Sequence, residues 1–218
     1  MRIQEHEFET APGLPELLPA GERILWQGRP RWTTLAVRAF HVRKLAFYFA
    51  ILLAVSIGSA FASGGPGNAM SVVLWQLPLT LFALGMTSLL AWLAGHFAIY
   101  TITDRRVVMR IGIVLTITFN IPLVRIQSAD LRMFGDGSGD VALALAAPDR
   151  IAFVQLWPHV RPWRVARPEP MLRAVPDAAN VGDVLARALV ARAGGTRIPG
   201  PDAPVVDSAR PQPYPVAA

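Results

Sequence analysis

The chain has 218 residues, 53% of them hydrophobic, and a formal net charge of +6. The absence of cysteine excludes disulfides, thiolate metal sites and a cysteine nucleophile. The basic charge is almost all Arg, but no nucleic-acid-binding motif accompanies it, so we expect no nucleic-acid partner.

The first distinctive segment lacks Asp, Glu, Lys and Arg from Leu45 to Thr103. A Gly-rich and Pro-containing break at residues 64–68 divides it into two apolar blocks, 45–63 and 72–97. Each block has near the roughly 20 residues with which a helix crosses a hydrocarbon core of about 30 Å. The sequence therefore predicts a transmembrane helical hairpin over residues 45–97.

Positive charge lies on both flanks of this hairpin and is absent from its loop. The flanking cations are Arg29, Arg31, Arg38, Arg43 and Lys44 before it, and Arg105, Arg106 and Arg110 after it. Because such charges resist translocation, we expect both termini in the cytoplasm. The three arginines after the hairpin could instead bind lipid phosphate. We expect no cleaved signal peptide, because the first block starts far from Met1.

Small residues recur every four positions in both blocks, which lets helix backbones approach closely. The first stripe is Ala50, Ala54, Gly58 and Ala62, and the second is Ala83, Thr87, Ala91 and Gly95. We expect the stripes to pack against each other within the hairpin. A homodimer or a client helix is the alternative.

Short β-branched runs of the strand type follow the hairpin. The predicted strands are 98–103, 107–111, 115–119, 124–127, 131–134, 141–145 and 151–156, with turns at 135–139 and at Pro148-Asp149. A third span over residues 111–124 is the competing interpretation, but that run is too short for a bilayer.

A helix capped by Asn180 and ended by Gly194-Gly195 closes this domain. The sequence thus predicts an α+β membrane protein in four parts. They are a cytoplasmic segment 1–44, the hairpin 45–97, a small antiparallel β-barrel or sandwich with one C-terminal helix at 98–193, and a disordered Pro-rich tail at 194–218.

Residues 157–164 combine aromatic and basic side chains with two prolines, which hold a chain extended. The candidate contact residues are Trp157, His159, Arg161, Trp163 and Arg164. Rigid aromatics and Arg are common interface anchors, so this run is a candidate surface for a protein partner or for the membrane. The alternative is that both tryptophans fill the domain core.

Catalytic chemistry has little support in the sequence. The four histidines share no local spacing with carboxylates that would make a metal or acid/base site, and no nucleotide or nucleophile fingerprint occurs. We expect no enzyme, no catalytic residue and no metal.

The segments 100–112 and 121–127, with 18–22 and 24–30 upstream, resemble the bacterial pleckstrin-homology-like (PH-like) domain that commonly follows a membrane hairpin. Three further features resemble the PuhB family of photosynthetic-complex assembly proteins of purple bacteria: residues 12–16, residues 39–44 with Tyr48-Phe49, and residues 156–163 continuing to 170–173. The resemblance implies a non-enzymatic factor in the inner or intracytoplasmic membrane. Its partners would be lipid and the polypeptides of the reaction centre and of the core light-harvesting complex (LH1).

A general membrane-anchored module that binds lipid or protein is the alternative function. The resemblance also raises the question of pigment, because a membrane histidine can ligate the magnesium of bacteriochlorophyll. Trp92 lies four residues before His96, where a ligand histidine of the antenna polypeptides has Ala, and its bulk would crowd the macrocycle. We therefore expect no cofactor, with transient pigment contact at His96 as the less favoured alternative.

Overall fold

The computed structural model describes residues 18–113, 115–146 and 151–194. The predicted tail beyond Gly194, the 12–16 segment and the Pro148-Asp149 turn lie outside the described residues. The elements in chain order are β1 (Ile24–Gly28), α1 (Trp32–Arg38), α2 (Val42–Phe97), β2 (Ile99–Thr103), β3 (Arg106–Ile111), β4 (Ile117–Pro122), β5 (Ile126–Met133), β6 (Gly139–Leu145), α3 (Phe153–Leu156), β7 (Met171–Val175) and α4 (Ala178–Ala193).

The strands form two antiparallel sheets, in the orders β1-β2-β3-β4 and β5-β6-β7. The α+β class is confirmed, but the barrel alternative is wrong because the sheets do not close into one. A 3-10 turn at Leu123–Arg125 carries the chain from the first sheet to the second. Pro122 ends β4, and a proline has no N–H to continue a strand ladder.

The first strand comes from the segment before the long helix. β1 pairs with β2, with Ile24 opposite Thr103 and Gly28 opposite Tyr100. The helix α2 is therefore inserted between two neighbouring strands of one sheet. The predicted domain bounds placed residues 24–28 in the N-terminal segment 1–44, although residues 24–30 belong to the pattern that resembles the PH-like domain.

The helix α2 spans 56 residues and is long and apolar enough to cross a membrane. It is one candidate span, and the predicted pair of separate spans is not shown. Its backbone leaves helical geometry at Gly64 and Gly65, and Gly65 has a φ of 69°, which favours glycine. Pro66 follows this break at the start of the next helical turn, where its missing N–H is tolerated.

The core lies between the two sheets and α4. All five residues of β2 and all five of β7 are buried. The largest fully buried apolar side chains in the core include Ile102, Met109, Leu143, Leu172 and Leu185. Val181, Leu185 and Ala188 recur at helical spacing on the face of α4 that contacts this core.

Two local predictions were wrong, and the competing interpretation of a third span is excluded. Residues 153–156 form the short helix α3, where a strand over residues 151–156 was expected. Helix α4 begins at Ala178, and its N-cap residue is Asp177, three residues before the expected cap Asn180. The third span over residues 111–124 is excluded because this region contains the paired strand β4. Gly194 does end α4, as predicted.

Candidate functional site

The residues of the 157–164 run lie in different environments. Trp163 is 95% exposed and Trp157 is 54% exposed, whereas His159 is 1% exposed. The Trp157 ring makes an edge contact with Phe40, with 5.3 Å between the ring centroids. The tryptophans therefore lie on the surface, and the histidine belongs to the interior.

His159 belongs to a buried polar cluster. Its Nδ1 is hydrogen-bonded to the hydroxyl of Tyr100, and that hydroxyl also accepts the backbone N–H of Arg173 at 3.3 Å. Burial, aided by the nearby Arg173 charge, lowers the pKa of His159 to about 3. Burial also raises the pKa of Tyr100, so both side chains are neutral near pH 7.

The guanidinium of Arg173 is the buried charge of this cluster. It donates from Nη1 to the Pro158 carbonyl at 3.0 Å and from Nη2 to the Arg38 carbonyl at 3.3 Å. Its Nε lies 4.0 Å from Asp140 Oδ2 and has no hydrogen-bond partner among the described residues. Burial lowers the pKa of Arg173 and raises the pKa of Asp140. Asp140 therefore compensates the buried charge of Arg173 only in part.

Arg161 and Arg164 converge on the largely buried carboxylate of Glu169. Arg161 Nη1 lies 2.9 Å from Glu169 Oε2 and 2.6 Å from Asp130 Oδ2, and Arg164 Nη1 lies 3.1 Å from Glu169 Oε1. The hydrogen bonds to Asp130 and Glu169 raise the pKa of Arg161. These contacts hold the loop after β6 against β5.

The three arginines after α2 are not brought together. Arg106 makes a bidentate ion pair with the buried Glu22, at 2.9 Å and 3.1 Å, and so joins the start of the chain to the β2–β3 turn. Arg105 lies in the same turn and is exposed. Arg110 pairs with Ile99 at the other end of β3, beside the end of α2. The expected role of these arginines as a membrane or lipid-phosphate contact stays a prediction. Because they lie apart, they do not form one shared site.

The two small-residue stripes also differ. Ala50, Ala54, Gly58 and Ala62 are all exposed, so they do not face the second stripe within the chain. Ala83 and Thr87 are half-buried, and Ala91 is buried. Gly95 lies against α1, because a Cβ at this position would be 3.0 Å from Trp32 Cβ. The expected packing of one stripe on the other is therefore not found.

His96 lies at the exposed end of α2, and the Trp92 ring stacks on it with a centroid distance of 5.1 Å. The indole thus covers one face of the imidazole. The absence of pigment at this position stays a prediction.

The helix α1 is fixed between α2 and the second sheet. Its Leu35 packs with Ala94 of α2 and Ala174 of β7. Thr34 donates to the carboxylate of Asp136 in the β5–β6 turn at 3.0 Å. Hydrogen bonds from Ser138 and Thr34 lower the pKa of Asp136 to about 2. These contacts place the segment between α1 and α2 against the second sheet.

A groove of about 1050 Å³ lies between this segment, the second sheet and the loop after α3. Its cations are contributed by all three walls: Arg38, Arg43, Lys44, Arg132, Arg161 and Arg173. Its carboxylates are Asp130 and Asp140, and Trp157 and Trp163 also line it. We call this feature the basic groove.

Sequence reasoning found both tryptophans and Arg161, but it missed Arg38, Arg132 and Arg173 as parts of one site. These three lie on α1, β5 and β7, and no local spacing in the sequence connects them. Only the packing of α1 on the second sheet brings them together.

These features define a class: a small domain of two antiparallel sheets and a C-terminal helix, interrupted by a long apolar helix. The bacterial PH domain family matches residues 37–189. The chain belongs to this family.

A Rhodobacter capsulatus protein named as an uncharacterized 23.7 kDa protein in the puhA 5′ region is 36% identical to the chain over 195 residues. The match covers 88% of this chain and 91% of that protein. This likeness agrees with the resemblance to the PuhB family. No solved structure matches the chain.

Proposed function

We propose that the protein is a non-enzymatic membrane assembly factor for the photosynthetic reaction centre and the core light-harvesting complex LH1. The observation that carries the proposal is the near full-length similarity to a protein encoded beside puhA, which suggests a photosynthesis-related context. The bacterial PH domain and the long apolar helix fit a protein that works at the membrane surface.

The pairing of β1 with β2 supports a hairpin arrangement of α2. The two strands flank α2 in sequence and are hydrogen-bonded to each other, which favours a topology with both ends of an inserted α2 on the same side of the membrane. An inserted α2 must then cross an even number of times. Its 56 residues would extend about 84 Å as one straight helix, whereas one crossing of a core of about 30 Å needs roughly 20 residues.

Two further observations support a fold-back at Gly64-Gly65. The backbone there is not helical, and Thr80, in the middle of the second half, is only 8% exposed. In a single extended helix with no neighbouring helix, the side chain of Thr80 would be exposed. We therefore infer a multi-pass protein of the bacterial inner or intracytoplasmic membrane with both termini in the cytoplasm, as the flanking positive charge favours.

The outer surface of α2 offers contacts for membrane partners. Large apolar side chains are well exposed along it, among them Phe47 at 70%, Trp75 at 83% and Phe82 at 66%. The exposed stripe that contains Gly58 could bring a client helix or a second copy of the chain close to the α2 backbone. We propose the reaction-centre and core-antenna polypeptides as clients at these surfaces and at the rim formed by Trp157 and Trp163.

The role requires no bound cofactor and no reaction at this chain. Among the described residues, no group of three His, Cys, Asp or Glu side chains could hold a metal ion. Tyr100 and His159 form a hydrogen-bonded polar pair outside the membrane segment, and both side chains are buried in the domain core. We propose that this pair stabilises the fold.

Deletion of the gene from a phototrophic host tests the assembly role. Assembled reaction centre and LH1 should fall in amount, measured from the near-infrared absorption of membranes, while bacteriochlorophyll synthesis continues. Re-expression of the intact chain should restore both complexes. Normal complexes in the deletion strain would contradict the proposal, and altered envelope lipid behaviour in that strain would favour the general membrane-anchored binding module.

A further inference from the structure

We propose that the basic groove binds the phosphate headgroup of an anionic phospholipid. This inference rests on the proposed insertion of α2 in a membrane, and it assigns a ligand to a site that the assembly role leaves unexplained.

The groove carries an excess of positive charge. Six Lys or Arg side chains line it against two carboxylates. Arg161 is compensated by Asp130 and Glu169, and Arg173 lies near Asp140. The lining cations that make no ion pair with any residue that the structure describes are Arg38, Arg43, Lys44 and Arg132. Such a surplus attracts an anion.

The position of the groove identifies the membrane surface as the source of that anion. Arg43 and Lys44 lie in the first turn of α2, directly before the charge-free stretch that begins at Leu45. Lipid phosphates lie at the level where such a helix enters the bilayer, and basic pockets at this level are typical sites for lipid headgroups. Trp157, on the groove rim, is a residue type enriched in the same zone.

The start of α2 adds donors at the same place. His41 is its N-cap residue and makes no side-chain capping hydrogen bond. The first backbone N–H groups of the 56-residue helix therefore remain available beside the groove, and an uncapped helix N-terminus favours phosphate.

Arg173 supplies an independent observation inside the groove. Its side chain is nine-tenths buried, and its Nε has no hydrogen-bond partner among the described residues. A buried guanidinium with unfilled donor capacity is costly, and Asp140, whose Oδ2 is 4.0 Å from this Nε, does not hydrogen-bond it. A phosphate in the groove would offset more of this cost electrostatically. Arg38 is also held in place, with its guanidinium 4.5 Å from the centre of the Phe134 ring.

A charge-removal variant tests the site in the full-length purified protein. Arg38→Gln with Arg132→Gln removes two exposed cations that have no ion pair in the described part of the chain. Native mass spectrometry should find dioleoyl phosphatidylglycerol retained in preference to dioleoyl phosphatidylcholine by the intact chain. Since each cation near a membrane surface contributes about fivefold, the double variant should lose about 25-fold of this preference.

The matched control is Arg187→Gln with Arg192→Gln, which removes the same charge from the exposed surface of α4. This variant should keep the preference for phosphatidylglycerol. An equal loss in both variants would mean that net charge alone attracts the lipid, and it would overturn the groove assignment. Equal retention of both lipids by the intact chain would also overturn it.

Inorganic phosphate distinguishes a lipid site from a free-anion site. At millimolar concentration it should not displace phosphatidylglycerol from the intact chain, and full displacement would overturn the lipid assignment.

Failure of the lipid site can be distinguished from failure of the assembly role. Selective lipid retention with normal core complexes in a deletion strain would refute only the assembly role, and reduced complexes without lipid selectivity would refute only the lipid site.

Discussion

The two tryptophans of the groove rim differ in how much the fold depends on them. Trp163 is almost fully exposed, whereas Trp157 packs against Phe40. A partner that buries both rings would gain large apolar contact at little conformational cost, which is why exposed aromatics are frequent anchors of interfaces.

We predict that Trp157→Ala with Trp163→Ala weakens client association by about 2 kcal/mol or more, as truncation of aromatic anchors typically does. Copurification of reaction-centre and core-antenna polypeptides with the tagged protein measures this loss. Val190→Ala, which truncates an exposed apolar side chain on α4, is the control and should have no effect. A membrane-inserted double variant that copurifies clients normally would refute the anchor role.

The buried His159 predicts a pH dependence of folding. Its pKa is about 3 in the folded chain, while an unfolded histidine has a pKa of 6.5. Below pH 6.5 the unfolded state takes up a proton that the folded state does not accept until about pH 3, so stability should fall as pH drops through this range. Asp136, whose pKa of 3.8 falls to about 2 on folding, adds to this loss only below about pH 4, whereas Asp140, whose pKa is raised by burial, acts in the opposite direction.

Thermal unfolding of the detergent-solubilised chain between pH 7 and pH 4 measures this effect. The intact protein should lose melting temperature on acidification. His159→Gln should be less stable at pH 7, because the contact with Tyr100 is altered, but its melting temperature should depend less on pH. Equal slopes for the two proteins would show that another group controls the pH dependence.

At the scale of elements, the contact of α1 with α2 depends on a missing side chain. A Cβ at Gly95 would lie 3.1 Å from Trp32 Cα, so any larger residue must push α1 away. We predict that Gly95→Leu destabilises the protein by about 1–3 kcal/mol, which is typical of overpacking. Thermal unfolding should show the loss, and an unchanged melting temperature would mean that α1 is not firmly packed.

Gly58 provides the contrasting substitution, because an added Cβ meets no atom within 4 Å. Gly58→Leu should leave unfolding unchanged and reduce association with a second copy or with a client helix, since it removes close backbone approach. Crosslinking and copurification from membranes measure the association. If both are normal at normal protein levels, the first stripe is not an interface.

Local sequence patterns predicted the elements that depend on local forces. The runs around β2 and β3 have the β-branched composition of strands, and Gly194 ends α4 as a glycine after a helix commonly does. The pairing of β1 with β2 joins residues about 75 positions apart, and no local pattern encodes it. Strand β7, Met171–Val175, was not predicted, because its sequence contains Arg173 and only one β-branched residue.

The candidate site likewise combines features that the local sequence predicted with features that depend on distant residues. Aromatic and proline content marked the loop that contains Trp157 and Trp163, but the burial of His159 depends on Tyr100, which lies 59 positions away. The basic groove depends on the placement of α1 against the second sheet. Its cations Arg38, Arg43 and Lys44 were therefore assigned only to the positively charged flank of the predicted hairpin.

For the whole molecule, the proposed topology rests on one hydrogen-bonded strand pair and a charge pattern. We predict that an alkaline phosphatase fused after Ala218 is inactive and that a fluorescent protein fused at the same position is bright, because the proposed topology has both ends of the chain in the cytoplasm. A fusion after Asn68, in the expected outer loop, should show active phosphatase and serves as the control. Periplasmic activity at Ala218 would imply an odd number of crossings.

The strand pair across α2 also sets a sequence of events during synthesis. β1 leaves the ribosome early, yet its neighbour β2 appears only after all 56 residues of α2 have been made. Since a strand without its neighbour has unfilled backbone groups, and since we propose that α2 is inserted in a membrane, the first sheet cannot be completed before both ends of the helix have returned to one compartment. A helix inserted with its ends on opposite sides would also separate α1, which precedes it, from the second sheet, which follows it. The basic groove needs both, so it would form only on molecules whose α2 has both ends in one compartment.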